Sequence, residues 1–269
     1  MTTQRDTWEL MQTWQYVLPP SRPDVQDLEV IRQQLAQVER SSQVGVLGST
    51  PEFRDLLHEL GFETVVVLER SANFLQAMSM LRVHANDELI MMGDWLETLP
   101  ECENRFTVLL SDLTAGNIRY EDRRIFYDLV TQALKPRGVF IDKNLTNQAG
   151  LLTVQEIRSK YAAMPINLQT VNYFSCEAIF CSDLQREEEH IDTSVIYDRL
   201  GLELTGTRFE RLLRDCQLVT PRNCLWYYGK AWTELERDYC RSLNLVSRQD
   251  LNEAQPYYRR AHQYVFERR

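Results

Sequence analysis

The sequence predicts an α/β protein built on a seven-stranded, mostly parallel sheet with helices on both faces, N-terminal helices, and a helical insertion before the last two strands. Three observations carry this. Short valine- and leucine-rich runs alternate with stretches whose apolar residues recur at helical spacing. The runs are nearly continuous in apolar residues rather than alternating, as expected of strands covered on both faces. The first run, Gln43 to Leu47, stops at Gly48 and is followed by Pro51 and a helical repeat of Phe53, Leu56, Leu57 and Leu60, which is strand, tight turn, helix.

In chain order, Asp6 to Val17 reads as a helix with Trp8, Leu10, Met11, Trp14 and Val17 on its apolar face. Pro19, Pro20 and Pro23 break it, and Asp24 caps a second helix through Val25, Leu28, Ile31, Leu35 and Val38. This pair either packs on the sheet or, with Arg22 in its proline-rich elbow, covers a ligand pocket. Thr64 to Glu69 is a second strand, and Asn73 to His84 a helix with Phe74, Leu75, Met78, Leu81 and Val83 inward. Glu88 to Met92 is a third strand ending at Gly93-Asp94-Trp95, and Phe106 to Leu110 a fourth ending at Ser111-Asp112. A helix carrying Ile125, Phe126, Leu129, Val130 and Leu134 is closed by Lys135-Pro136-Arg137-Gly138, and Val139 to Asp142 is a fifth strand. Helical spacing dominates from Leu151 to about Leu235, where the acidic run Glu187 to Glu189 also falls, and Leu243 to Ser247 and Ala261 to Phe266 read as the last strands. The expected organisation is an N-terminal helical cover over 1–42, a binding core over 43–150, an insertion over 151–240 and closing strands over 241–269.

Right-handed crossovers place the carboxyl tips of the parallel strands on one edge, where ligands bind in such sheets. Gly48, Glu69, Asp94 and Asp112 all fall there. Gly48 can adopt a positive φ and lets a ligand approach bare backbone beside a helix N-terminus. Glu69, about 20 residues beyond that turn, suits the two hydroxyls of a ribose. Each acid alone reads more readily as a solvated loop residue than as a ligand contact, so the case is collective.

Composition narrows the partner. Thirty Lys plus Arg against 39 Asp plus Glu give a net charge of −9, which disfavours nucleic acid and leaves a small molecule as the expected substrate. No run approaches the roughly 18 apolar residues of a membrane helix, and the N-terminus lacks a signal-peptide core, so no membrane partner and a cytoplasmic location are expected. The six cysteines contain no CxxC pair, and the four histidines no HxxxH or HExxH pattern, so no metal site is expected.

Five segments together resemble the ordered motifs of class I S-adenosylmethionine (SAM)-dependent methyltransferases: Leu47-Gly48-Ser49-Thr50-Pro51-Glu52, Val67-Leu68-Glu69-Arg70-Ser71, Gly93-Asp94-Trp95, Ser111-Asp112-Leu113 and Leu134 to Gly138. The first is similar to that of a bacterial branch reading leucine-glycine-x-threonine-proline-glutamate. It keeps only Gly48 of the usual glycines and lacks the acid normally found on the first strand. The resemblance spans about residues 19 to 144, and the tail strands suit the family's reversed final hairpin. It implies a Rossmann-like core binding SAM, with S-adenosylhomocysteine (SAH) as product. Gly48, Ser49 and Thr50 would lie against the methionine part, and Glu69 on the ribose with Arg70 and Ser71 flanking. Asp94 would accept from the adenine amino group, and Trp95 would offer a ring face or its backbone amide. Asp112, Leu113 and Thr114 would border the sulfonium and the substrate.

O- or N-methylation of a small acceptor is the activity implied, and an acceptor of either kind can require a base. His190, His262, Tyr173, Tyr197, Tyr227 and Tyr228 are candidates, with none assigned. Trp226, Tyr227, Tyr228 and Trp232 fit either an apolar, planar substrate or a helical core. Two other readings stay open: a silent SAM- or SAH-binding protein of the same fold, and an NAD-dependent reductase, which an acid after the second strand also suits. Against the reductase stand the missing glycine triplet and the absence of a Tyr-x-x-x-Lys pair after the fourth strand. The acceptor atom and the oligomeric state are open.

Overall fold

The computed structural model describes residues 6–84, 87–145, 152–185, 190–227, 242–250 and 261–269. The chain opens with α1 (Thr7–Tyr16) and α2 (Val25–Leu35), then alternates β1 (Gln43–Leu47), α3 (Pro51–Glu59), β2 (Thr64–Glu69), α4 (Ala72–Met80), β3 (Leu89–Met92), α5 (Trp95–Thr98), β4 (Phe106–Asp112), α6 (Tyr120–Ala133) and β5 (Leu134–Leu145). The insertion carries α7 (Val154–Tyr161), α8 (Leu168–Phe180), β6 (Ile191–Asp192), α9 (Thr193–Glu203), α10 (Thr207–Cys216) and β7 (Leu225–Trp226). The strands β8 (Leu243–Asp250) and β9 (Ala261–Arg268) end the chain. Among the described residues seven strands form one sheet in the order β3-β2-β1-β4-β5-β9-β8. The first five are parallel, and β9 lies antiparallel between β5 and β8. Strand order reverses between β1 and β4, so the tips of these two strands flank the crevice of the sheet.

Successive strand residues point to opposite faces, and each face has its own core. Leu47, Val66, Leu68, Leu109, Phe140 and Phe266 pack with Trp95, Phe126, Tyr127 and Val130 of α5 and α6. Val44, Val46, Val65, Val67, Val108, Leu110, Ile141 and Val265 pack with Ile31 and Leu35 of α2 and Phe53, Leu56 and Leu57 of α3. On the opposite face Gly45 lets β1 lie close against the first of these cores, since a Cβ there would stand 2.6 Å from Leu109 Cδ1. The insertion has a third core, built from Ile157, Tyr161, Phe174, Ile196, Leu200 and Leu212 and joined by Val17 from the N-terminal segment.

Several elements depart from the sequence expectation. The helix foreseen to His84 ends at Met80, and Val83 is 83% exposed. Strand β5 begins at Leu134, not Val139, because Lys135 to Gly138 form an irregularity in the β4–β5 register, with Arg137 at φ 63°. Strand β3 was expected to be covered on both faces, yet Leu89, Ile90 and Met92 are exposed, because β3 is the sheet edge. The acidic run Glu187 to Glu189 lies outside the described residues.

The N-terminal pair does two things. Helix α1 packs on α4, with Trp14 edge-to-face on Phe74. The elbow between α1 and α2 runs from α8 to the carboxyl edge of the sheet. Leu18 N donates to Asn172 Oδ1 (2.9 Å), and Asn172 Nδ2 donates to Tyr16 O (2.9 Å). At the other end Lys143 Nζ, wholly buried on β5, donates to Arg22 O (3.0 Å) and to Asp27 Oδ2 (2.7 Å). Asp27 is itself the N3 residue of the Asp24 capping box that starts α2. Lys143→Met is expected to lower unfolding free energy by about 3–5 kcal/mol, because it leaves a buried carboxylate unpaired. Urea unfolding checks this, and a loss below about 1 kcal/mol would show that the pair does not anchor the elbow.

Candidate functional site

The site is built from the turn after β1 outward. Gly48 sits at φ +88° and its N–H donates to Leu68 O (2.8 Å), which ties the turn to the tip of β2. Thr50 is the N-cap of α3 but makes no side-chain capping bond, and Pro51 follows in the first turn. The first amides of α3 thus lack the capping oxygen that a Ser, Thr or Asp usually supplies, and they suit a ligand's acceptor atoms.

Glu69 stands beside this turn. It is buried, Oε2 accepts from Ser49 Oγ (3.0 Å), and Oε1 accepts from Ser71 N (2.9 Å). Burial pushes its carboxyl above the usual range, opposed by the Ser71, Ser49 and Arg70 contacts. An ionised carboxylate has about four lone-pair sites, so two donors fix the rotamer and leave acceptor capacity for hydroxyls. The Glu69 carbonyl accepts from Gly93 N (3.1 Å), which brings the β3 tip alongside. There Asp94 caps α5 through Leu96 N (3.0 Å).

Trp95 answers differently from one of its two expected roles. Its indole is buried, donates from Nε1 to Leu68 O (2.8 Å), and belongs to the core under α5 and α6. The ring is committed to packing, and of the two roles only the backbone amide stays compatible. Arg70 lies over that ring at 5.3 Å and reaches Asn117 Oδ1 (3.4 Å), which links the tips of β2 and β4.

At the β4 tip, Thr114 Oγ1 donates to Leu47 O (3.1 Å), and Leu113 takes a left-handed conformation at φ 58° with its N–H on Lys143 O (2.9 Å). Asp112 Oδ2 accepts from Thr50 Oγ1 at 3.5 Å, and Oδ1 lies 3.8 Å from Lys143 Nζ. Burial raises the Asp112 carboxyl to about 7; Lys143 opposes this, and the negative charges of Asp27, Glu52 and Asp142 reinforce it. Above the turn Glu52 accepts from Trp14 Nε1 (3.2 Å) and pairs with Arg22 (2.5 Å), so the elbow closes over the start of α3.

Gly48, Glu69, Asp94 and Asp112 therefore share one rim, joined by direct hydrogen bonds from turn to tip. The proposed base residues do not converge in the same way. The Tyr197 hydroxyl donates to Thr220 O (2.6 Å) inside the insertion core, and burial pushes it far above its ordinary value. His262 is buried on β9 opposite Asn144, with Arg248 Nη2 3.3 Å from Nδ1. Tyr173 pairs with Gln169 and packs near Leu113. His190 and Tyr227 meet each other (6.1 Å between ring centroids) beside the loop after β4, where Tyr227 N donates to Gly116 O (2.7 Å). Tyr228 and Trp232 lie outside the described residues.

Sequence reading did not single out Lys143 or Asp27, nor Glu52 for any role of its own. A signal existed for Lys143: the polar run Asp142-Lys143-Asn144 closes an apolar strand whose neighbour ends in Asp112, and the β4–β5 register sets Asp112 opposite Lys143.

No protein-family model and no curated protein matches the chain. Among solved structures it is similar to a SAM-dependent methyltransferase from Anabaena variabilis (13% identity, 98% of this chain and 94% of that one, TM-score 0.53). It shares the fold of these enzymes. It is also similar to the glycopeptide N-methyltransferase MtfA in complex with SAH (13% identity, 90% and 89%, TM-score 0.50). A third likeness is to a Rhodobacter sphaeroides structure described as a candidate Zn-dependent alcohol dehydrogenase (16%, 98% and 97%, TM-score 0.60). Among the described residues no group of three or more His, Cys, Asp or Glu is arranged to hold a metal ion. At these identities the likeness to methyltransferases is one of fold, and the case for a function rests on the residues at the rim.

Asp112 generates a stability prediction. Its folded-state pKa of about 7 lies above the ordinary carboxylate value. The group therefore favours folding fully below its unfolded value, and that contribution is lost as pH rises through about 7. Asp112→Asn removes the titration, so the variant should gain on the wild type by on the order of 3 kcal/mol between about pH 4 and pH 8. Urea midpoints at the two pH values test this, and parallel curves would refute it.

Proposed function

We propose that the chain is a SAM-dependent methyltransferase acting on a small-molecule acceptor, by O- or N-methylation. The observation that carries the reading is the convergence of the Gly48 turn, Glu69, Asp94 and Asp112 on the one rim where strand order reverses. The residues fit the cofactor. The turn from Gly48 to Thr50 and the uncapped start of α3 suit its methionine part, Glu69 its ribose, and Asp94 and the Trp95 backbone its adenine. Asp112, Leu113 and Thr114 border the reacting end. When bound, SAM supplies an activated methyl group, and the protein's own task is to align the acceptor and exclude water.

The arrangement supports that task. Ser49 and Ser71 hold Glu69 in one rotamer before any ligand arrives, so less ordering remains for binding. The elbow with Trp14 and Arg22 lies over the start of α3 and is suited to shield the rim. The negative charge of the chain supports a small acceptor over a polyanion, and we assign the enzyme to the cytoplasm. The domain roles follow: 1–42 as cover, 43–150 as cofactor core, 151–240 as a helical insertion and substrate lid, and 241–269 as sheet closure.

Calorimetric titration with SAH, SAM and NAD tests the reading. SAH and SAM are expected to bind and NAD not to, whereas binding of NAD alone would replace the proposal with a reductase. Glu69→Gln should weaken SAH about tenfold, since it turns one acceptor of a charged hydrogen-bonding group into a donor. An unchanged dissociation constant would remove the ribose assignment. Binding of SAM without methyl transfer across a broad panel of hydroxyl and amine acceptors would favour a silent binding protein.

A further inference from the structure

We propose that Asp112 sets the preference between the two forms of the cofactor: its ionised carboxylate favours sulfonium-bearing SAM over the uncharged thioether SAH. Lys143 is the positioning residue that holds this carboxylate at the rim. The inference rests on the cofactor reading above.

The geometry leaves Asp112 short of compensation. Its side chain is 2% exposed, and Oδ1 accepts no hydrogen bond among the described residues. Among the described residues Oδ2 has only the long contact with Thr50 Oγ1. The nearest cation, Lys143, stands 3.8 Å away but is 2.7 Å from Asp27, so most of its charge is balanced elsewhere. The other charged groups around the carboxylate do not help. Glu52 of α3 and Asp142 of β5 carry its own sign, and Arg22 of the elbow is paired with Glu52. His262 of β9 lies opposite Asn144, one register step beyond Lys143. A buried carboxylate in this position is costly unless a positive charge comes near.

The Gly48–Thr50 turn reaches Asp112 through Thr50, so a ligand seated against that turn would lie beside the residue that carries the carboxylate. Asp112 would there meet a positive charge in a sulfonium and none in a thioether. Low local dielectric and fixed placement make the difference larger than it would be in water. Because burial brings the Asp112 carboxyl to about 7, its charge changes across neutral pH. The preference for SAM over SAH therefore rises with pH, and SAM binding in turn favours loss of the Asp112 proton. SAM and SAH share their adenosine part, but the sulfonium lowers the pKa of SAM's own α-amino group relative to that of SAH, so the contribution of Asp112 is the difference between the pH dependence of the ratio in the wild type and in Asp112→Asn.

Calorimetric titration of the full chain with SAM and with SAH across neutral pH tests this without any acceptor. Relative to that in Asp112→Asn, the wild-type affinity ratio should rise at least about threefold between about pH 6 and pH 8. Parallel ratio curves in the two proteins overturn the proposal, and Asp112→Ala serves as the uncharged reference if Asp112→Asn does not fold. Lys143→Arg keeps the charge but alters its placement, and it should move the midpoint of the ratio curve; an unmoved midpoint removes Lys143 as the positioning residue. If neither SAM nor SAH binds at any pH, the cofactor reading itself fails and takes this inference with it.

Discussion

A single buried ammonium group, that of Lys143, ties together three parts of the molecule that are far apart in sequence. It binds the carbonyl of Arg22 in the N-terminal elbow, the Asp27 carboxylate of α2, and at longer range the Asp112 carboxylate of β4. Removing an ammonium group from water costs several kcal/mol. The cost is tolerable only because a carboxylate and a carbonyl meet it at hydrogen-bonding distance. The elbow is thereby seated on the sheet edge by a polar contact that has one satisfactory geometry. Apolar packing alone would accept several.

That contact sits where the two apolar cores cannot reach. The cores on the two sheet faces arise from the alternation of strand side chains, and they fix the strands without specifying what lies at their tips. At the tips the backbone groups that leave the ladder need other partners. Gly48 N on Leu68 O, Gly93 N on Glu69 O and Thr114 Oγ1 on Leu47 O supply them, each one crossing from one strand tip to a neighbour. The rim is thus a hydrogen-bonded belt resting on a hydrophobic sandwich. Its acids are oriented by that belt, as Glu69 is by Ser49 and Ser71.

Much of this was legible in the sequence because it depends on local pattern. The valine runs, Gly48 before Pro51 and the acids at strand tips all report on neighbours within a few residues. The placement of Glu69 and Asp112 at one edge of the sheet follows from handed crossovers once the strands are known. What was not legible depends on register or on distant partners. The exposure of β3 follows from its place at the edge of the sheet, which no single strand announces. The role of Lys143 requires Asp112 to be its neighbour across β4 and β5, and requires Asp27, more than a hundred residues away, to arrive from above. Trp95 stands next to an acid at a strand tip, a position equally consistent with binding and with packing. Only the bond from its indole to Leu68 O decides between them for the ring.

The same physics accounts for the irregular first motif. A turn with one glycine and no acid on β1 offers little negative charge of its own. The structure supplies that charge from neighbouring elements: Glu69 from β2, Asp112 from β4 and Glu52 from the first turn of α3. Glu52 is paired with Arg22 and Glu69 is braced by neutral donors, whereas Asp112 shares its lysine with Asp27. Of these three carboxylates, Asp112 is the one whose charge the protein leaves least compensated, and it is the one nearest the turn's own hydroxyl at Thr50. A cationic ligand seated on that turn would therefore complete an electrostatic arrangement that the fold by itself leaves unbalanced.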